Sequence, residues 1–244
     1  MLKRSLCVFL GLFFIELLKA EELPNYIKKC KLSDPNMNEC FVKNANDAIP
    51  TLVKGDPTFK LINMSPVVIP VVNLGSGPNL EMKLTQVTSN NIKDFRLSKA
   101  NFDLKSNKIW LNSKMDRLEV ISNYFIKGQI LVLPINGEGK SNITFIGNDM
   151  TYEADIGSKD INGIKYYTIE NPTLKAIPDK VYFHFDNLFG GDPNLGKQMN
   201  NFLDENWSDF YDELKPALQK AMEAVVTNVF KVYFAKVPAD KLFE

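Results

Sequence analysis

The chain has few of the residues on which nucleic-acid binding or acid–base catalysis depends. Its 244 residues include one histidine, and its 29 Lys and Arg residues are balanced by 29 Asp and Glu residues. A nucleic-acid-binding protein needs a surplus of positive charge to displace counterions, and this chain has no surplus. A balanced charge also provides no attraction toward an anionic membrane surface or an acidic substrate. The composition therefore excludes nucleic acid as a partner and gives no sign of stable membrane insertion.

Sequence motifs of the common enzyme classes are missing as well. The chain has no glycine-rich phosphate loop followed by Lys-Ser/Thr, no dinucleotide fingerprint and no His-Glu-x-x-His zinc motif. The Gly-Ser-Gly sequence at 75–77 is not the five-residue nucleophile elbow of hydrolases. As a general base, His184 would need a nucleophile and an orienting carboxylate; Asp186 shares its strand face, but no serine or cysteine motif is near. We therefore expect no catalytic residue, no metal and no cofactor, and interpret His184 as a surface or hydrogen-bonded residue.

Residues 1–20 have the layout of a secretory signal peptide. A positively charged start is followed by an apolar run from Leu6 to Ile15 and by a small residue, Ala20. A helix that crosses a bilayer needs about 20 apolar residues, so this run is too short to span one. We predict that the mature chain begins at residue 21 or 22 and is secreted, with an N-terminal membrane anchor as the alternative.

Cysteine is scarce, with Cys7, Cys30 and Cys40 as the three residues of this type. Cys7 leaves with the signal peptide, and the other two lie ten positions apart in a chain destined for an oxidising compartment. A disulfide between Cys30 and Cys40 is the natural pairing, and it closes a short loop at a gain of roughly 3 kcal/mol. A redox or metal site is the alternative, although two cysteines and one histidine cannot fill a tetrahedral zinc shell without carboxylates.

Three Asn-x-Ser/Thr sequons begin at Asn63, Asn142 and Asn206. In a secreted protein such an asparagine accepts a glycan only where it is exposed. Pro66 follows the first sequon and Trp207 stands in the middle of the third, which makes both poor sites. Asn142 follows a predicted turn, and we predict it to be the glycosylated residue.

The apolar pattern changes its period along the chain and so predicts several kinds of structure. Residues 23–54 have the three- and four-residue spacing of helix, interrupted by the cysteine loop. Residues 65–72 carry two prolines four positions apart, which forbid a regular helix and a central strand, so we expect an extended segment. From about residue 80 to residue 186 apolar and polar residues alternate between short turns. This region predicts a long antiparallel meander with one apolar face.

The C-terminal part of the chain predicts one long helix. Asp192 suits the N-cap and Pro193 the first helical position. Helical spacing then continues for about 40 residues, or ~60 Å at 1.5 Å per residue. Pro216 should kink this helix because its ring removes one backbone hydrogen bond. The apolar face comprises Leu195, Met199, Leu203, Trp207, Phe210, Leu214, Leu218, Ala221, Val225, Val229 and Val232.

These elements predict a single α+β domain over residues 21–244. A helix of the predicted length exceeds the ~30 Å dimension of a compact domain. A large curved sheet with one apolar face must cover that face, and wrapping the sheet around the helix does so. This arrangement readily leaves an elongated apolar space between the layers, and such spaces hold ligands. The alternative is that the apolar helix face is plain core.

Three segments of the mature chain resemble the insect takeout and juvenile-hormone-binding protein family. They are Cys30-Lys-Leu-Ser-Asp34 with Cys40, then Pro66-Val-Val-Ile-Pro70, and a C-terminal set of Leu188-Phe-Gly-Gly-Asp-Pro193, Asn200-Asn-Phe-Leu-Asp-Glu-Asn-Trp207, Leu214-Lys-Pro216, Val237-Pro238 and Leu242-Phe243. The resemblance implies the tubular lipid-binding, or super-roll, fold, in which a highly curved antiparallel sheet wraps around one long C-terminal helix. It also implies secretion into haemolymph or sensory fluid, the family disulfide, and a hydrophobic tunnel for a terpenoid such as juvenile hormone or for a fatty-acid-like lipid.

Two departures from the hormone carriers bear on the ligand. The hormone carriers of moths add a second disulfide in the later half of the chain, whereas this sequence has no cysteine beyond Cys40. That difference favours the takeout branch and weighs against juvenile hormone itself. Phe145 stands in a strand region where the hormone carriers place polar ligand contacts, and an apolar residue there suggests a longer, less polar ligand.

The predicted function is a secreted, non-enzymatic carrier that buries one small hydrophobic ligand. The apolar residues predicted to face its tunnel are Phe145, Phe183, Phe210, Leu214 and Val225. One alternative is a secreted chemosensory or signalling protein that acts through a protein partner or receptor. Another is an esterase that acts on a lipid and depends on His184.

Overall fold

The computed structural model describes residues 20–76, 79–130 and 132–244. The predicted signal peptide falls on residues 1–20, of which residues 1–19 lie outside this part of the chain. Within the described ranges the helices and strands are, in chain order, α1 (Met37–Leu52), β1 (Val67–Ser76), β2 (Leu80–Asn90), β3 (Arg96–Asp103), β4 (Lys108–Ile130), β5 (Leu133–Ile161), β6 (Ile164–Ile177), β7 (Lys180–Phe185), α2 (Pro193–Glu205) and α3 (Trp207–Phe234).

The longest feature of the sheet is the hairpin of β4 and β5, which have 23 and 29 residues. The two strands pair antiparallel from Lys108 opposite Asp155 to Ile130 opposite Leu133. At about 3.3 Å per residue a straight strand as long as β5 would measure about 95 Å, so the hairpin must curve to stay within a protein of this size. The alternating region predicted over residues 80–186 corresponds to strands β2–β7 of this antiparallel sheet, and the predicted fold class is confirmed.

Each outer edge of the hairpin is shared by two shorter strands. β4 pairs with β3 and, further along, with β2, which carries β1 on its other side. β5 pairs with β7 up to Ile146 and with β6 from Asp149. Gly147 lies on β5 at the point where its partner changes from β7 to β6, and its φ is 63°. A Cβ at this position would collide with the carboxylate of Asp179, which lies between β6 and β7 in the chain. Glycine at this position therefore lets the two strands share one edge of β5.

The segment at 65–72, which we predicted to be extended, lies at the margin of the sheet. The segment is extended and contributes to β1, which pairs on one side with β2. Pro70 lacks a backbone N–H, and an edge strand tolerates this because one of its two sides needs no ladder partner.

The C-terminal helical region is broken at Asn206, where we predicted one continuous helix with a kink at Pro216. α2 and α3 are separated at Asn206, whose φ and ψ are −107° and 31°. The Asn206 backbone N–H and Nδ2 both donate to the Phe202 carbonyl oxygen, at 2.9 Å each, and so end α2. α3 runs through Pro216 without a break, where we predicted a kink. Asp212 and Pro216 are both exposed, so water can bond the carbonyl oxygen that proline leaves without a donor.

The two other helix starts differ in how well the sequence predicted them. α2 begins at Pro193, and Asp192 Oδ1 accepts hydrogen bonds from two backbone N–H groups of the first turn at 2.9 and 3.0 Å, which confirms the predicted cap. α1 begins only at Met37, so the helix predicted from residue 23 is wrong over its first part. Residues 20–36 instead form turns, and Asp34 Oδ1 accepts from the Asn36 N–H at 2.8 Å just before the helix.

The free edge of β7 is covered by side chains of α2. Asp204 Oδ1 accepts from the Phe183 N–H at 2.9 Å. Asn200 Oδ1 accepts from the Phe185 N–H at 2.9 Å, and its Nδ2 donates to the Phe185 carbonyl oxygen at 3.0 Å. A carboxylate and an amide thus replace the backbone of a neighbouring strand, which satisfies the edge and denies it to other chains.

Helix α3 lies against the inner face of the sheet, where it contacts β1, β6 and β7, while α1 packs on β3. Buried apolar residues of the sheet and the helices form one contiguous core. Among the described residues, no helix combines the length and the apolar composition needed to cross a membrane.

The two ends of the described chain meet beside this core. The Glu21 N–H donates to the Lys236 carbonyl oxygen at 3.0 Å. The Leu32 N–H donates to the Glu244 carbonyl oxygen, and the Glu244 N–H donates to the Cys30 carbonyl oxygen, both at 3.0 Å. The N-terminal segment is therefore held by the residues that follow α3.

Candidate ligand-binding cavity

A cavity of about 370 Å³ lies between α1, α3 and the inner face of the sheet. Small-molecule sites in proteins have volumes of about 300–1,000 Å³, so this space is large enough for a ligand. Among the described residues of its wall, and apart from the Tyr233 hydroxyl and the Cys30 sulfur, polar side chains come only from Lys28, Asn44 and Ser89. Water in such a space has few hydrogen-bond partners, so the wall favours an apolar occupant.

Helix α3 provides one side of the cavity. Its lining residues recur every three or four positions, as one face of a helix requires. They are Leu218, Ala221, Met222, Val225, Val226, Val229, Phe230, Tyr233 and Phe234. The alanine and valine side chains in the middle of this stripe are short, and a space remains between them and the opposite wall.

The opposite walls come from the sheet, from α1 and from the N-terminal segment. Their apolar residues include Leu23 and Ile27; Phe41, Ala45, Ala48, Ile49 and Leu52 of α1; Val67, Ile69 and Val72 of β1; Leu84 and Val87 of β2; Leu111, Met115, Leu118 and Val120 of β4; and Phe145 and Met150 of β5. We did not predict the α1 and β1 residues as site residues. Their apolar spacing indicates a buried side of each element, but not that this side faces a space.

The disulfide fastens part of this wall. Cys30 and Cys40 are bonded, with their Cα atoms 6.0 Å apart, as predicted. Asn44 Nδ2 lies 3.3 and 3.4 Å from the two sulfur atoms and 3.2 Å from the Lys28 carbonyl oxygen. Since Cys40 and Asn44 both belong to α1, the bond and the amide together hold the N-terminal segment against that helix. Lys28 belongs to the cavity wall, although its side chain is 67% exposed.

A cluster of hydroxyl groups anchors the same segment to the end of α3. The Tyr26 hydroxyl donates to Asp56 Oδ2 at 2.7 Å and lies 2.7 Å from the Tyr233 hydroxyl. Because Tyr26 gives its proton to Asp56, it accepts one from Tyr233. Burial raises the pKa of Tyr26 well above its usual range, and the bonds to Tyr233 and Asp56 raise it further. Both phenols are therefore neutral at physiological pH, and the chain of bonds joins the cavity wall to a buried carboxylate.

The five residues predicted to face the ligand are divided between two environments. Phe145 and Val225 line the cavity. Phe183, Phe210 and Leu214 lie in the core beyond its wall, each 0–1% exposed. The Phe183 and Phe210 rings are 4.6 Å apart, which leaves no room between them for a ligand. The bulky side chains of β7 and of the first turns of α3 fill this part of the molecule.

The outer face of the sheet carries the histidine. His184 Nε2 lies 3.1 Å from Asp186 Oδ1, and both side chains are exposed, so they share a strand face as predicted. They line a groove between β7 and α2 whose wall is partly polar. Across the described residues, no group of three or more His, Cys, Asp or Glu side chains is arranged to hold a metal ion.

The sequons differ in exposure. Asn142 is half-buried on β5, where its Nδ2 donates to Glu119 Oε1 at 3.1 Å and its Oδ1 accepts from the Thr144 hydroxyl at 3.1 Å. Asn63 is exposed in the segment before β1. Asn206 is half-buried and occupied in ending α2.

The curved sheet, the long helix and the apolar cavity together define the class of the protein: a tubular lipid-binding fold. Residues 6–244 match the family described as haemolymph juvenile hormone binding protein. The chain belongs to this family, and its relatives place it in the takeout-like branch. The family is named for binding a hormone and not for catalysis.

The similar proteins cover nearly the whole chain. The circadian clock-controlled protein daywake of Drosophila melanogaster is 23% identical over 238 residues, which span 92% of this chain and 90% of the relative. The protein of the same name from Drosophila yakuba is 23% identical over 240 residues with the same coverage. The crystal structure of Takeout 1 from Epiphyas postvittana has a TM-score of 0.79 and 24% identity, and the match covers 89% of this chain and 100% of that one.

Proposed function

We propose that the protein is a secreted carrier that encloses one small hydrophobic ligand, a terpenoid or a fatty-acid-like lipid, in the cavity between α1, α3 and the sheet. The observation that carries this proposal is the apolar wall around a space of about 370 Å³. Family membership supports a binding function for this space.

The binding free energy in this proposal comes from the removal of apolar surface from water. Each buried methylene contributes ~0.8 kcal/mol, so about fifteen of them set an upper bound near ~12 kcal/mol. The costs of association subtract several kcal/mol, which leaves affinities of roughly micromolar to nanomolar. A carrier of this strength keeps a poorly soluble molecule dissolved and still releases it.

Val225 offers a direct test because it lines the cavity from the middle of the α3 stripe. Val225→Asp would place an unpaired carboxylate in an apolar wall, and we expect ligand affinity to fall at least about tenfold. Val68→Asp is the matched control, since Val68 is 57% exposed on β1. Native mass spectrometry of the secreted protein, with lipid extraction, identifies the ligand, and displacement of a fluorescent lipid probe measures affinity. Equal affinity in the two variants would show that the ligand binds elsewhere.

A protein partner is the second candidate, and the outer face of the sheet supports it. Val68, Val71 and Ile121 are 40% exposed or more; the first two lie on β1 and the third on β4, on either side of β2. A protein that is secreted empty and rejects both fatty acids and terpenoids would favour this function over the carrier function.

Maturation forms a further part of the proposal. We propose that residues 1–20 are removed on secretion and that Asn142 carries a glycan. The intact mass of the secreted protein, before and after enzymatic removal of N-glycans, tests both steps. Asn142→Gln should abolish the mass shift. A shift that persists in this variant and disappears in Asn63→Gln would assign the glycan to the exposed sequon instead.

A further inference from the structure

The cavity ends partway along the long hairpin, although the apolar inner face continues. On α3 the lining residues begin at Leu218, whereas Leu214 and Phe210 continue the same stripe outside the cavity. On β4 they end at Val120, and the buried Tyr124 further along does not line the space. The space therefore stops where the surrounding side chains become large, and not where the apolar surface ends.

Phe145 stands at this end of the cavity. It lines the space and is itself 1% exposed, so its ring separates the cavity from the filled core. On the inner face of the sheet Phe145 lies opposite Val181, and Phe183 is its diagonal neighbour two residues further on β7. The side chains directly behind the ring thus belong to the filled core, which contains no cavity.

Tyr211 lies behind the Phe145 ring and is held in place by a hydrogen bond. The ring of Tyr211 meets that of Phe145 edge-on, with 6.2 Å between centroids. The Tyr211 hydroxyl donates to the Ala176 carbonyl oxygen at 2.8 Å, and Gln219 Nε2 donates to the same oxygen at 3.2 Å. Burial raises the pKa of Tyr211 to about 12, so its hydroxyl keeps the proton that it donates. The Tyr211 ring cannot move away from Phe145 without breaking the hydrogen bond between its hydroxyl and the Ala176 carbonyl oxygen.

Further aromatic rings pack against one another in the filled core. Phe183 and Phe210 have centroids 4.6 Å apart, and Tyr124 and Phe185 have centroids 4.8 Å apart. Phe183 and Phe185 stack at 6.5 Å and join the two pairs. Interiors packed in this way yield little to an added group, because their density resembles that of an organic crystal.

We propose that Phe145 is the floor of the cavity and sets the greatest length of ligand that the protein encloses. This inference rests on the proposed carrier function and adds to it the residue that selects by chain length. An alkyl chain that reaches the Phe145 ring can extend further only if its other end remains in water. Ligands are therefore distinguished by length at this end, and not by hydrogen bonding.

The test is a chain-length profile. We would measure the affinity of the full-length secreted protein for saturated fatty acids from lauric to arachidic acid, by displacement of a fluorescent probe. In the wild type we expect affinity to rise about fourfold per methylene, the equivalent of ~0.8 kcal/mol, up to a limit and then to level off or fall. In Phe145→Ala the limit should move to acids longer by about four methylenes, which fill the volume of the lost ring.

Two further variants keep the test decisive. Phe183→Ala removes the same ring from the filled region while Phe145 remains, so the limit should stay where it is in the wild type. Phe145→Leu removes less volume, and it replaces Phe145→Ala if that variant does not fold; we expect an intermediate shift. An unchanged limit in folded Phe145 variants, or an equal shift in Phe183→Ala, overturns the role of Phe145. A wild type that binds none of these acids and no terpenoid overturns the carrier function, and the inference falls with it.

Discussion

On α3, Phe210 and Val225 belong to one apolar stripe but face different surroundings. Phe210 is 0% exposed and packs against Phe183 and Phe185, whereas Val225 is half-buried and faces the cavity. Spacing along a helix shows which residues point inward, and it carries no information on what lies opposite. Side-chain size is a partial signal: the stripe becomes small at Ala221 and Val225, although the large side chains of Phe230, Tyr233 and Phe234 also line the cavity.

Phe210→Ala should therefore be costly to stability and nearly neutral for binding. We expect the free energy of unfolding to fall by about 3–5 kcal/mol, because a filled site becomes a void. Val225→Ala should cost about 1 kcal/mol or less, since this side chain already faces a space. Urea denaturation monitored by circular dichroism measures both. A Phe210→Ala protein of wild-type stability with lost ligand affinity would instead make Phe210 a ligand contact.

Buried tyrosines should make the protein sensitive to alkali. Burial raises the pKa of Tyr124 and of Tyr211 to about 12, while an unfolded tyrosine ionises near ~10. The folded state therefore holds these protons more tightly, so the contribution of the two tyrosines to stability is fully present below about pH 10 and is lost as the pH rises toward about 12. Urea unfolding at a series of pH values measures the slope. Tyr211→Phe should make the slope shallower, whereas Tyr182→Phe, at an exposed position, should leave it unchanged.

At the scale of elements, the break at Asn206 separates two helices with different tasks. α2 covers the free edge of β7, and α3 provides the inner wall. The sequence predicted the N-cap at Asp192 and the alternating strands, because caps and strand faces are local patterns. It did not predict the break, because Asn206 ends α2 through its own side chain while Pro216 was the stronger local signal.

Asn200→Ala tests the role of α2 as an edge cover. The variant loses both hydrogen bonds to the Phe185 backbone, and we expect a loss of about 1–3 kcal/mol in the free energy of unfolding. The exposed β7 edge should also increase aggregation, which light scattering during heating would detect. Asn201→Ala is the control, since Asn201 is exposed on the same helix. If Asn200→Ala and Asn201→Ala had the same free energy of unfolding and the same aggregation, α2 would be held by other contacts.

At the scale of the whole molecule, the sequence and the family resemblance led to the curved sheet, the long helix and an apolar interior. The length of the cavity, in contrast, could not be predicted from the sequence. It depends on which rings meet across the sheet and α3, and those pairs are far apart in sequence. Two of the five predicted ligand residues line the cavity, and the other three lie in the filled core behind its floor.

The Cys30–Cys40 bond should matter to the whole cavity and not only to its own loop. A double Cys30→Ser, Cys40→Ser variant should lose roughly 3 kcal/mol of stability and should release ligand faster, because the N-terminal segment of the wall is less firmly held. Stopped-flow ligand displacement, with thermal unfolding in parallel, measures both effects. A reducing agent should reproduce them in the wild type and change nothing in the variant. If reduction left the release rate of the wild type unchanged, the disulfide would not control the release of ligand.

The meeting of the two chain ends has a consequence for biosynthesis. Tyr26 and Tyr233 are 207 positions apart and share a hydrogen bond, and both Glu21 and Leu32 are bonded to residues beyond α3. A ribosome makes the sheet, with its apolar face, before it makes α3 and the residues after it, and the N-terminal segment can bond to those residues only then. Contacts of such long range also form slowly. We therefore expect the compartment to be sealed late in folding, after a stage at which the interior of the nascent chain is open to the lipids around it.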